Sequence, residues 1–221
     1  LLAQAKEVES AFVNHNELGA LRVGATLTIG NYLAVELIHQ YLLDHPEAKV
    51  DLEVANTASI VQEIWDFDID LGLIEGEFTH SELDIFPWRE DNMVCFSAPS
   101  HPLVGKQGVG LEELTPCDWI LRESGSGTRQ AFERAMGHHL TELHVSLELQ
   151  HTEAITRAVQ NGLGVSCLSE IALHDAFKRG DLVPLDTPSL DFARQFYFVI
   201  HKHKYRSVGL RAWMSMCGVA S

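Results

Sequence analysis

The sequence predicts an α/β fold of two lobes, and three observations carry that expectation. Short apolar runs of strand length alternate with stretches of helical periodicity, the order expected of a parallel sheet with helices on its faces. The alternation forms two clusters, on either side of a stretch punctuated by Pro99, Pro102 and Gly105. Strand-to-helix turns in both clusters are rich in Gly, Ser and Thr, and in open α/β sheets ligands bind at the carboxyl ends of strands, where such turns lie.

The chain opens on a helix, because Leu1, Ala5, Val8 and Phe12 recur at helical steps. It has no capping residue ahead of it, which is how the tail of a longer helix would look. After a turn at Gly19, Ala20–Gly24 reads as a strand and Tyr32–Leu43 as a helix ending before His45-Pro46. Lys49–Val54 alternates as a strand, Ala58–Trp65 is a short helix, and Ile69–Ile74 and Met93–Ser97 are strands. The second cluster begins with strand Trp119–Arg122, helix Arg129–Met136 and strand His144–Leu149. Helix Glu153–Gln160 stops at Asn161-Gly162, a favoured C-terminal cap. Val165–Leu168 is a strand, Ile171–Lys178 a helix ended by Gly180, Phe196–His201 a strongly apolar strand, and Val208–Met216 a terminal helix.

The 221 residues, 46% hydrophobic and 21% charged, suit a soluble globular protein with a sizeable core. No apolar run reaches the roughly 18 residues of a membrane span, and the first residues lack the features of an export signal, so a cytoplasmic location is expected. Sixteen Lys and Arg against 31 Asp and Glu give a formal net charge of −15, which argues against direct binding of a phosphate backbone by these residues. The four cysteines, Cys95, Cys117, Cys167 and Cys217, form no C-x-x-C pair. They read as buried reduced thiols, with a redox switch or disulfide as the alternative.

The most informative stretch is RESGSGTR, Arg122 to Arg129, between a strand and a helix. Gly125 and Gly127 let the backbone turn sharply and approach a ligand. The helix start presents unpaired N–H groups with partial positive charge, Ser124, Ser126 and Thr128 add hydroxyls, and Arg129 adds a cation. Such a turn suits a phosphate, sulfate or carboxylate group; an ordinary Ser/Gly cap carries the same residues. It is neither a Walker loop, lacking Gly-Lys-[Ser/Thr], nor a nucleophile elbow. Two further turns have the same placement: GATLTIGN, with Thr26 and Thr28, and QHTE, with His151 and Thr152. Strand-end threonines without a ligand, and Thr152 as an N-cap, are the plainer alternatives. His138, His139 and His144 have no partner at metal-ligand spacing and read as surface or packing residues, as do His201 and His203. The acidic run Trp65–Asp70 reads as a half-buried strand entry. No nucleophile, base and orienting group come together, so no catalytic residue, metal or cofactor is expected.

Taken together, the motifs resemble the effector-binding domain of LysR-type transcriptional regulators. The resemblance is carried, in order, by GALRVGAT (Gly19–Thr26), YLLDHPEAKVDLEV (Tyr41–Val54), DIDLGLIEG (Asp68–Gly76), SAPSHPL (Ser97–Leu103) and AVQNGLGVSCLSE (Ala158–Glu170). One departure is Ser169, where the last motif usually has proline. The resemblance implies two Rossmann-like lobes joined by two crossover strands, a periplasmic-binding-protein-like fold of type 2. Residues 1–18 would then be the remnant of a linker helix, 19–97 and 195–221 lobe I, and 98–194 lobe II. It also implies a homodimer of this domain, a tetramer in the full-length regulator, and DNA contact only through an N-terminal winged helix-turn-helix outside these residues.

RESGSGTR resembles the branch whose effectors are small anions. The anion would lie in the interlobe cleft against Thr26, Thr28, Ser124, Ser126, Gly127, Thr128, Arg129, His151 and Thr152. Sulfite or sulfate, a phosphorylated metabolite and a small carboxylate satisfy these donors alike. The main alternative is a solute-binding protein of a transport system, which shares the two-lobed design.

Overall fold

The computed structural model describes residues 19–219; the expected linker helix of residues 1–18 lies outside them. The chain divides into two compact units. One ends at Arg89 and resumes at Phe196; the other is Glu90–Gln195. Two strands carry the chain from one unit to the other, β4 (Leu83–Ser97) and β9 (Ala193–His201).

In the first unit β1 (Ala20–Thr26), α1 (Leu27–Tyr32), α2 (Ala34–Asp44), β2 (Lys49–Ala55), α3 (Thr57–Trp65) and β3 (Leu71–Glu75) follow in order, and α8 (Val208–Met216) comes last. β1 is central and pairs in parallel with β2, from Ala20↔Lys49 to Thr26↔Ala55, and with β3 at Val23↔Leu71. β9 joins antiparallel to β3 through Gly72↔Val199. β3 is buried along its whole length, as a parallel strand covered on both faces should be. Ile60 and Ile64 of α3 pack with Ile69, Ile74 and Val199, each buried apolar side chain contributing ~1.5–3 kcal/mol. The start of α3 is set locally, since the Asn56 side chain accepts from the Ser59 N–H.

The helix expected over Tyr32–Leu43 is found at Ala34–Asp44, and a further short helix, not expected from the sequence, precedes it immediately after β1 and is separated from it by Leu33. The Glu75 carboxylate braces the first turn of that short helix: it accepts from both the N–H and the hydroxyl of Thr28, at 3.2 and 3.3 Å. β4 is also far longer than the expected Met93–Ser97, because it runs through Pro87 and the charged residues Arg89, Glu90 and Asp91.

The second unit holds α4 (Leu111–Leu114), β5 (Asp118–Arg122), α5 (Gly127–Met136), a 3₁₀ turn (Gly137–Glu142), β6 (His144–Leu149), α6 (Thr152–Gln160), β7 (Ser166–Ser169), α7 (Glu170–Arg179) and β8 (Val183–Pro184). β5 and β6 pair in parallel, with a register shift between Trp119 and Ile120. β7 lies antiparallel to β4, from Met93↔Ser169 to Phe96↔Ser166. One core gathers Cys95, Trp119, Phe132, Met136, Val165 and Cys167; a second gathers Phe96, Ile120, Ile155, Val159, Leu168 and Leu173. Trp119 is buried, and its indole N–H donates to the Leu114 carbonyl at 3.0 Å, which anchors α4. Gly180 ends α7 in the left-handed conformation, with its N–H on the Ala176 and Phe177 carbonyls.

Candidate functional site

The three turns singled out in the sequence differ once their surroundings are known. At the end of β1, Thr26 precedes α1 and its buried hydroxyl has no hydrogen-bond partner among the described residues. The neighbouring Thr28 already serves the buried carboxylate of Glu75. This helix start therefore carries an anion supplied by the chain itself.

At the third turn His151, which is exposed, occupies the N-cap position and makes no side-chain cap bond. Thr152 is the first helical residue, not the cap, and it is buried. The first turn of α6 holds an acidic residue, the exposed Glu153, whose carboxylate pairs with Arg157 at 2.8 Å.

The turn before α5 is different. Gly125 adopts a φ of 86°, a conformation that glycine reaches without steric cost. Ser124 and Gly125 are exposed, whereas Ser126, Gly127 and Thr128 are buried. Ser126 is the N-cap, and its hydroxyl accepts from the Arg129 N–H at 3.4 Å. No acidic residue lies in the first turn of α5. The adjacent Glu123 is gripped by Arg122 through two contacts of 2.8 and 3.0 Å, so its charge is neutralised in place.

Arg129 does not point its charge at this turn as the sequence suggested. Its guanidinium donates to Glu133 at 2.6 Å, to the Arg122 carbonyl at 3.0 Å and to Glu148 at 3.4 Å. The cation that reaches the turn is Arg194, from β9. Its Nη1 donates to the Thr128 hydroxyl at 3.0 Å and its Nε to Asp91 Oδ2 at 2.7 Å. Both members of that ion pair have side chains only 2% exposed. Asp91 also accepts from the Ser169 hydroxyl at 2.8 Å, and Ser169 in turn caps α7 through the Ile171 N–H. A hydrogen-bonded line thus runs Ser169–Asp91–Arg194–Thr128, entirely within the second unit. The serine that replaces the expected proline is part of it, because proline has no hydroxyl to offer Asp91. That departure was the one signal in the sequence pointing towards this network.

Elsewhere in the second unit, a cavity of about 510 Å³ is lined by Asn92, Leu185, Asp186, Asp191 and Phe192 among others. Its charged lining is acidic, which does not suit an anion. Of the histidines, His144 meets Asp118 at 2.6 Å and His138 lies against His139. Among the described residues no group of three or more His, Cys, Asp or Glu could hold a metal ion.

Comparison with known proteins places this geometry in a family. The LysR substrate binding domain matches residues 14–220. An uncharacterized HTH-type transcriptional regulator of Escherichia coli K12, YeiE, is 38% identical over 221 residues, covering all of this chain and 74% of the relative. The HTH-type transcriptional activator CmpR of Synechocystis is 30% identical over 190 residues, 86% of this chain and 62% of the relative. Among solved structures, the regulatory domain of Synechocystis PCC6803 CcmR in complex with 2-PG matches with a TM-score of 0.83 and 28% identity, covering 90% of this chain and 95% of that one. The effector binding domain of QuiR in complex with shikimate matches with a TM-score of 0.81 at 17% identity, over 90% of this chain and 95% of that one, a likeness of fold.

Proposed function

The chain belongs to the LysR substrate binding domain family, and from that premise we propose that it senses a small anion at the start of α5 and passes the occupied state to DNA-binding heads carried outside it. One observation carries this reading. Of the three candidate turns, only that before α5 combines buried Ser126, Gly127 and Thr128 with a helix start free of acidic residues and a guanidinium on Thr128. The helix N-terminus supplies N–H donors and partial positive charge. Arg194 polarises the Thr128 hydroxyl, which strengthens it as a donor.

Ser124 belongs to the same turn, and Arg129 braces it from behind through the Arg122 carbonyl. Thr26, His151 and Thr152 remain further contacts of the same ligand in this proposal, whereas Thr28 is held by Glu75. The ligand class is an oxyanion or carboxylate: sulfite, sulfate, a phosphorylated metabolite or a small acid. The 2-PG bound by CcmR and the shikimate bound by QuiR are both of this kind. The functional form is a homodimer of this domain, assembled as a tetramer in the full-length regulator and located in the cytoplasm. The known relatives are transcriptional regulators, so neither transport nor catalysis draws support from them. No helix of the described residues is long and apolar enough to cross a membrane.

A switch between states needs a difference in affinity. Moving a two-state balance from 1:99 to 99:1 takes ~5.5 kcal/mol, and two to four charge-assisted hydrogen bonds of about 1.5–3 kcal/mol each are enough. The test is thermal unfolding of the chain against sulfite, sulfate, inorganic phosphate, 2-PG and shikimate at constant ionic strength. A specific ligand at 100 times its Kd adds about 2.7 kcal/mol, which is roughly 5–10 °C at this size. Thr128→Val lowers the starting midpoint, because the buried Arg194 loses an acceptor. The ligand-induced shift, measured from that new baseline, should disappear. A full shift in the Thr128→Val variant would move the site away from α5, and a flat panel would end the anion reading.

A further inference from the structure

Two of the four cysteines face each other across a strand pair. Cys95 of β4 and Cys167 of β7 are direct partners in the antiparallel register. Directly opposed residues place their Cβ atoms on one face, ~4.5–5.5 Å apart, and a disulfide needs about 3.5–4.5 Å. An adjustment of roughly 1 Å closes that gap. Both cysteines are buried and unbridged, and both lie in the cluster of Trp119, Phe132 and Val165. The half-buried Cys117 packs against the same cluster.

Burial restrains reactivity at this pair. Burial pushes the Cys167 thiol well above its usual range, while the nearby Arg194 guanidinium acts in the opposite direction. The thiolate is the reactive form, so oxidation is slow and selects a small uncharged oxidant that can enter an apolar core.

We propose that Cys95 and Cys167 form a reversible disulfide site, oxidised by a small hydroperoxide. One thiol, as its thiolate, attacks a peroxide oxygen; the O–O bond breaks and the departing hydroxide takes up the thiol proton as water. The product is a sulfenic acid. The second thiol attacks that sulfur, the S–S bond forms, and the sulfenic oxygen leaves as a second water. In total two thiols lose two electrons and two protons, and hydrogen peroxide is reduced to two waters. A small dithiol reverses the step by exchange. The bond joins β4 to β7 close to Arg194, which couples the redox state of the pair to the line that ends at Thr128. The disulfide chemistry itself does not depend on the ligand reading.

The test uses the chain with Cys117→Ser and Cys217→Ser, so that only the pair remains; the wild type with peptide mapping serves if that variant does not fold. In one arm the chain is refolded from denaturant in a glutathione redox buffer, which removes any barrier of access. In the other the native chain is exposed to excess hydrogen peroxide. Both are then alkylated and weighed. The expected result in each arm is a folded product lighter by two hydrogens, with neither cysteine alkylated and a midpoint several degrees higher, restored to the starting mass by dithiothreitol. The same chain with Cys95→Ser added should give no intramolecular disulfide. Two alkylated thiols after refolding would show that the strand geometry does not permit the bond. Two alkylated thiols after native peroxide treatment would show that the site is not oxidised in the folded protein. Either result overturns the proposal.

Discussion

Arg194 donates to Asp91 at 2.7 Å and to Thr128 at 3.0 Å, and the ion pair is almost wholly shielded from water. A buried pair of this kind contributes little net stability over an apolar replacement, because both charges have lost their hydration. Its value here is positional, since it fixes a guanidinium against the first turn of α5. Removing one partner alone is a different matter, since the other charge stays buried without compensation, at a cost of ~3–5 kcal/mol. Asp91→Asn keeps the shape and an acceptor oxygen but removes the charge, so a loss towards the lower end of that range is expected. Replacing both partners, with Asp91→Leu and Arg194→Met, should restore much of the stability while leaving the turn without its cation. Urea unfolding of the two variants checks this. If Asp91→Asn unfolds at the same urea concentration as the wild type, the pair is solvated and the network is not what holds Arg194.

At the scale of elements, what could be read from the sequence was whatever is decided by neighbours along the chain. The ends of α6 and α7 follow from Asn161-Gly162 and Gly180, and β6 was expected over the residues it occupies. Errors came where a distant residue decides. α1 was not expected, and its first turn is braced through Thr28 by Glu75, 47 residues on. The first half of β4 is hidden because Pro87 and the charges at 89–91 break its apolar pattern. The same division holds for the candidate site. The three turns are local and were legible; Arg194, 66 residues from Thr128 and in an unremarkable stretch, was not. Arg129, adjacent and conspicuous, proved to be tied to Glu133 and Glu148. In the motif AVQNGLGVSCLSE, the second of two glycines has a packing reason. A Cβ on Gly164 would lie 2.1 Å from the Asp118 carbonyl oxygen, and its φ is +153°. Gly162, at φ +77°, has nothing within 4 Å. Gly164→Ala should therefore cost about 1–3 kcal/mol for overpacking in addition to ~1–3 kcal/mol of backbone strain, because it forces the bridge between Trp119 and Val165 apart. Gly162→Ala should show the strain alone. Equal losses in thermal or urea unfolding would mean that the contact with Asp118 relaxes freely.

For the molecule as a whole, the proposed anion site belongs to a chain with a formal net charge of −15. Site and net charge act at different ranges. Close to α5, helix N–H groups and a buried guanidinium act over a few ångströms in a medium of low dielectric, where salt screens them little. Further out, the summed acidic field repels an approaching anion, and that field is screened beyond ~8–10 Å at physiological ionic strength. Association and dissociation should consequently respond to salt in unequal measure. Adding an inert salt, one whose own anion gives no thermal shift, should raise the association rate of whichever panel anion binds, because it weakens the repulsive field through which the ligand must travel. The dissociation rate should change less, since in the proposed site it would be set mainly by short contacts at Ser126, Gly127 and Thr128. Affinity would then improve modestly with ionic strength, the reverse of the behaviour of an anion steered by a basic surface. Stopped-flow association at increasing salt decides between the two. An association rate that falls with salt would mean that a local positive field dominates the approach, and that the charge serving the ligand lies at the surface and not in the buried Arg194.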